Sequence, residues 1–144
     1  MSKRSKTNFI VVHCAATKPS MDIGRKEIDQ WHRQRGWLKI GYHFVIRRNG
    51  EVEIGRAIDE VGAHVLNHNA DTVGVCLVGG IDEAGKPETN FTDAQYESLA
   101  TVIYQLKVLY PDAKVCGHCD FDKGRACPTF NVEKWWKEKM SQSS

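Results

Sequence analysis

The sequence lacks any apolar run at its start long enough to enter a membrane. Met1 to Asn8 is polar and basic through Lys3, Arg4 and Lys6, and the run that follows is only Phe9-Ile10-Val11-Val12. A secretory leader needs roughly 7–15 apolar residues and a spanning helix about 20. The chain is therefore expected to stay in the cytoplasm where it is made unless something else releases it, with residues 1–8 a flexible basic tail. Net charge is also scarce. Twenty Lys+Arg against 18 Asp+Glu leave +2, too little for a protein that holds nucleic acid through its field. Internal repeats, low-complexity segments and linkers are absent, so the 144 residues read as one domain with its body over 9–140. The five cysteines are odd in number, which disfavours a fully paired disulfide framework. Reduced structural thiols, redox chemistry and metal ligation remain.

What is present alternates between strand and helix signals. Phe9 to His13 is a short β-branched run that reads as a buried strand. Asp22 is placed to cap a helix over Arg25 to Arg35, which Gly36 ends. Tyr42 to Arg47 and Val52 to Ile54 flank Asn49-Gly50, a strong hairpin signal, and strand alternation puts Tyr42 and Phe44 on one side with His43 on the other. Val73 to Val78 is apolar throughout, as a central strand covered on both faces should be. Thr92-Asp93-Ala94-Gln95 is a capping box that opens an amphipathic helix running towards Pro111. Lys114 to Gly117 reads as a strand, Cys119 to Pro128 as a loop, and Asn131 caps a last helix bearing Trp135 and Trp136. The expected class is α/β: a single domain with a mixed central β-sheet flanked by helices.

Three places carry candidate chemistry. His13 and His118 each end a predicted strand, and Cys127 lies in a loop that can fold back towards them. Catalytic zinc takes three protein ligands and leaves a fourth position to water, so these three suit a His-His-Cys site. The spacing alone does not separate that reading from histidines hydrogen-bonded in the core or at the surface. Cys116-Gly117-His118-Cys119 has the Cys-x-x-Cys spacing of a disulfide oxidoreductase. Its setting opposes redox work, because a reactive thiolate sits at a helix N-terminus and here the acidic loop Asp120-Phe121-Asp122-Lys123-Gly124 follows. A structural zinc on Cys116, Cys119 and Cys127 with a histidine stays open beside it. The third place is Gly41-Tyr42-His43-Phe44 with Gly62-Ala63-His64. A tyrosine beside a metal can hydrogen-bond a water or an oxyanion. Without a metal, Tyr42 and Phe44 are a packed aromatic pair, and His64 and Asn69 solvate a loop.

Four strings, taken in order, point further: Val12-His13-Cys14-Ala15-Ala16-Thr17-Lys18-Pro19-Ser20, Gly41-Tyr42-His43-Phe44, Val73-Gly74-Val75-Cys76-Leu77-Val78-Gly79-Gly80-Ile81-Asp82 and Ala126-Cys127-Pro128. From about Asn8 to Lys139 the chain resembles the zinc N-acetylmuramoyl-L-alanine amidases of the amidase-2 and peptidoglycan-recognition-protein family. The resemblance implies one Zn2+ per chain held by His13, His118 and Cys127, with Tyr42 assisting at the metal's water. It also implies a substrate groove that includes His64, Asn69 and Thr72. Phage members carry a catalytic lysine two residues before the cysteine ligand, where this chain has Arg125. Lys123 is the second candidate, because the loop from His118 to Cys127 is a residue longer. Arginine keeps the positive charge but cannot give up a proton. The remaining four cysteines become buried or bystander thiols.

The implied activity is hydrolysis of the amide between N-acetylmuramic acid and the L-alanine of the peptidoglycan stem peptide. The implied setting is a phage endolysin that waits in the host cytoplasm until a holin opens the way to the periplasmic peptidoglycan. A glycosidase would need a carboxylate pair, and none in the sequence is convincing. The competing class is a binding module without catalysis, against which Cys127 speaks. The implied partner is the glycan-peptide substrate, taken by a monomer without membrane insertion or direct nucleic-acid contact. The resemblance also allows a second role as inhibitor of the phage RNA polymerase, which no motif here tests.

Overall fold

The computed structural model describes residues 2–142. Its β-branched runs form the strands. β1 (Phe9–Cys14) and β4 (Thr72–Leu77) lie side by side in parallel, in register from Phe9↔Thr72 to Cys14↔Leu77. β5 (Lys114–Gly117) flanks β1 in parallel on its other side. β2 (Phe44–Ile46) runs parallel to β4 and pairs antiparallel with β3 (Val52–Ile54). The resulting five-stranded mixed sheet has the order β3-β2-β4-β1-β5. Gly50 takes φ +89° in the hairpin turn, a backbone state that glycine adopts without a steric penalty. Parallel neighbours need crossover connections. Helix α1 (Arg25–Gln34) lies between β1 and β2, and α2 (Asp93–Leu109) between β4 and β5. α3 (Val132–Gln142) closes the chain against β5.

Alternation along β1 and β4 divides the core into two layers. Ile10, Val12, Val73, Val75 and Leu77 pack with Leu99, Val102, Ile103 and Leu106 of α2. The opposite face carries Val45, Cys76 and Val78 against Ile28 of α1, and Val11 and Cys116 against Val65. Being buried on both faces, β4 is apolar without alternation. The capping box forms as expected, with Gln95 N donating to Thr92 Oγ1 and Thr92 N to Gln95 Oε1. The Gln95 amide then donates to the carbonyls of Ile46 and Val78, which fastens the start of α2 to β2 and to the residue after β4.

Two local expectations change. Asp22 does not cap α1: the N-cap is Gly24, whose N–H goes to Glu27, while Glu53 of β3 accepts the N–H of Arg25. In the N-terminal segment, Lys3 pairs with Asp59 and bridges to Glu60, and Arg4 donates from its side chain to the Ile58 carbonyl. Basic side chains find acceptors there in a turn distant in sequence. Tyr42 and Phe44 also fall on opposite sides. β2 begins only at Phe44, so Phe44 packs with the α2 layer, while Tyr42 packs with Ile28, Ile40 and Val45. The preceding His43 is held by Gly74 N–H at Nδ1 and by the Glu60 carbonyl at Nε2, which turns the chain before the strand starts.

Candidate active site

His13 is the fifth residue of β1 and shares the side of Val11, the sheet face away from α2, rather than the sheet edge. His118 follows β5 directly in a short 3-10 turn, fixed where Asp120 accepts the N–H of Gly117 at 2.8 Å. Cys127 comes from the loop after it, tied back where Cys119 N donates to the Cys127 carbonyl at 2.8 Å. One ligand atom from each of His13, His118 and Cys127 falls within 4.8 Å of the other two. Among the described residues no other group of histidines, cysteines and carboxylates converges in this way. The Tyr42 ring lies 5.0 Å from the His13 ring and the His118 ring 4.6 Å from it. Above them opens a cleft of about 480 Å³, lined among others by Tyr42, His64, His118 and Arg125. Trp37 and Leu66 stand exposed at its margin.

Burial sets the protonation states. His13 and His64 are held well below the ordinary imidazole range by loss of hydration, reinforced by neighbouring histidines. His118 is lowered too, by burial and then by the Arg125 charge. Both histidines of the converging set are thus neutral at pH 7, the form in which imidazole binds metal. The Cys127 thiol is pushed up by its hydrogen bond with Cys14 and by burial, so ionising it needs a cation beside it. Cys14 N–H already points at Cys127 Sγ, 3.0 Å away, where it would support a thiolate. Two neutral imidazoles and one thiol at this spacing fit a single zinc ion with a position left for water. Tyr42 keeps its proton, because burial and the nearby thiols of Cys76, Cys127 and Cys14 raise it well above the phenol range.

The structure brings together His13, His118, Cys127 and Tyr42, and places Arg125 on the cleft. Arg125 is exposed and holds Asp122 through its Nε at 3.0 Å. Lys123 is exposed in the same loop and does not line the cleft. One expected groove residue sits differently, and the other two reach the cleft while serving internal contacts. Thr72 has no exposed surface and cannot meet a substrate. His64 is 9% exposed, with its ring nitrogens against His13 Nε2 at 2.8 Å and Thr72 Oγ1 at 3.1 Å. Asn69 lines the cleft, but its side-chain oxygen accepts the N–H groups of His64 and Val65 at 2.8 Å each. Cys14 is buried as expected, and it also touches Cys127: its N–H reaches Cys127 Sγ and the two thiols share a hydrogen bond, a meeting made by the returning loop that strand alternation does not reveal. His32 and Arg35 at the end of α1 also reach the cleft, a placement that helical periodicity alone does not reveal. The Cys-x-x-Cys pair shows no activated thiol: burial pushes Cys116 up to about 12, and Cys119 is raised as well. A larger cleft of about 620 Å³ beside Cys116 and Trp136 contains no histidine and lies apart from this chemistry.

A mixed α/β domain whose cleft floor gathers two imidazoles and a thiol defines a class, an enzyme site that one metal ion could complete. The chain belongs to the N-acetylmuramoyl-L-alanine amidase family, whose model matches residues 3–130. It is 52% identical over 137 residues to an endolysin of Klebsiella phage KP32, covering 95% of this chain and 90% of that one. It is 46% identical over 136 residues to an endolysin of Escherichia phage T7, covering 94% and 89%. Among solved structures, the N-acetylmuramoyl-L-alanine amidase LysC from Clostridium intestinale URNW superposes with a TM-score of 0.81 at 31% identity, over 94% of this chain and 86% of that one.

Proposed function

We propose that this amidase is a zinc-dependent phage endolysin that cuts the bond between N-acetylmuramic acid and L-alanine in peptidoglycan and so lyses the host cell. The observation that carries the zinc reading is the convergence of His13, His118 and Cys127 within 4.8 Å beneath the cleft. Zinc in such a donor set would supply Lewis acidity, polarising a carbonyl and lowering the pKa of a bound water to about 7. The chain's own residues do the rest. Tyr42, which keeps its proton, donates a hydrogen bond to the oxyanion that forms when the amide carbonyl is attacked. Arg125 adds a permanent positive charge at the same cleft. Arg125 and Arg35 outnumber Asp122 among the charged residues of the cleft, a net positive balance suited to the acidic stem peptides of the substrate.

The test is paired. Chelation should abolish wall hydrolysis and added zinc should restore it, while Cys127→Ala should lose bound zinc and activity together. Hydrolysis indifferent to chelation overturns the metal reading. Product analysis should show new N-terminal alanine without new reducing sugar, whereas reducing ends would mark a glycosidase. Among the described residues no helix is long and apolar enough to cross a membrane, which suits an enzyme that reaches the wall through a holin's opening. Inhibition of the phage RNA polymerase, the second role suggested by resemblance, is tested by a pull-down with the cognate polymerase.

A further inference from the structure

One buried chain of hydrogen bonds beside the ligands has its directions set by chemistry. Thr72 Oγ1 lies 2.6 Å from the carbonyl oxygen of His68, and only the hydroxyl can donate there. Its single proton is thereby used, so towards His64 Nε2, 3.1 Å away, the hydroxyl oxygen must accept. His64 then carries its proton on Nε2 and leaves Nδ1 as a lone pair. That lone pair faces His13 Nε2 at 2.8 Å, so His13 donates from Nε2. A neutral imidazole has one ring proton, and His13 Nδ1 is left bare.

The surroundings hold the His64 ring in this line. A Cβ on Gly74 would come within 2.8 Å of the ring, and one on Gly62 within 2.6 Å. No other residue type leaves that slot open. Asn69 clamps the backbone on either side by accepting from the N–H groups of His64 and Val65. Thr72 is fully buried, so water does not compete for its hydroxyl.

We infer that His64 and Thr72 are positioning residues which lock His13 in the Nε2-protonated tautomer, so that Nδ1 is the atom offered to the metal. The inference rests on the zinc reading above, and partners of this kind orient a metal-binding imidazole and raise its basicity.

Long-range proton–nitrogen spectra of the zinc-loaded, nitrogen-15-labelled full chain should show His13 Nε2 protonated and Nδ1 shifted by the metal. Thr72→Val should weaken zinc binding by roughly 10–100-fold in a chelator competition, while Thr72→Ser, which keeps the hydroxyl, should stay within about twofold. Zinc bound through His13 Nε2 overturns the relay, as does a folded Thr72→Val chain with wild-type zinc affinity. Should Thr72→Val fail to fold, the wild-type spectrum decides alone. A chain that takes up no zinc overturns the earlier reading instead, an outcome distinct from ligation by the wrong nitrogen.

Discussion

Tyr42 and Arg125 offer the same cleft two different kinds of help. The phenol is half-buried against the cluster of Ile28, Ile40 and Val45 and keeps its proton, so under the proposed mechanism it would serve as a fixed hydrogen-bond donor. Tyr42→Phe should leave bound zinc unchanged and lower kcat by about a hundredfold, the usual cost of losing one oxyanion donor. Metal analysis beside steady-state kinetics checks both halves, and zinc lost along with activity would make Tyr42 a structural residue. The guanidinium is exposed and tethered to Asp122 of its own loop. Arg125→Ala should lower kcat by on the order of tenfold or more, and Lys123→Ala should leave it within about twofold. The reverse order would hand the cationic role to Lys123.

Among the elements, α2 carries most of the packing on the face away from the site, through Leu99, Val102, Ile103 and Leu106. Leu99 is fully buried, and Leu99→Ala should cost about 2–5 kcal/mol in a denaturant titration while kcat holds in the fraction that stays folded. That helix is legible in the sequence because its signals are local: the capping box at Thr92 and the apolar spacing after it. The strands are legible for the same reason, as β-branched runs bounded by turn residues. The start of α1 is not, since its first N–H is taken by Glu53, 28 positions away. The candidate ligand set is visible in the sequence as one option among several, and only family resemblance singles it out. His13, His118 and Cys127 meet because β1 pairs with β5 and the following loop returns to β1, a long-range event with no local signal. The burial of Thr72 escapes notice likewise, because its partner is a ring lodged over Gly74.

For the whole molecule, the buried histidines tie stability to pH. His32 and His43 are each lowered to about 4, chiefly by burial, against about 6.5 in an unfolded chain. The unfolded chain therefore binds more protons between those values, and stability falls as pH drops through that window. Each of the two should remove about 1 kcal/mol per pH unit once the pH is below 6.5, with the full contribution present above it. Urea midpoints should decline from pH 7 to 4.5, and a flat profile would show that these rings ionise freely in the folded state.

The loop contact between Cys127 and Cys14 spans 113 positions of chain. An ion gripping His13 at one end and Cys127 at the other would act as a removable crosslink around most of the polypeptide. Closing a loop of that length restricts the unfolded ensemble by about 4–5 kcal/mol in the chain-entropy treatment used for disulfides. Chelation should then lower the melting temperature and quicken proteolysis of segments remote from the cleft. On the proposed zinc reading, stripping the ion would cost the enzyme endurance as well as turnover.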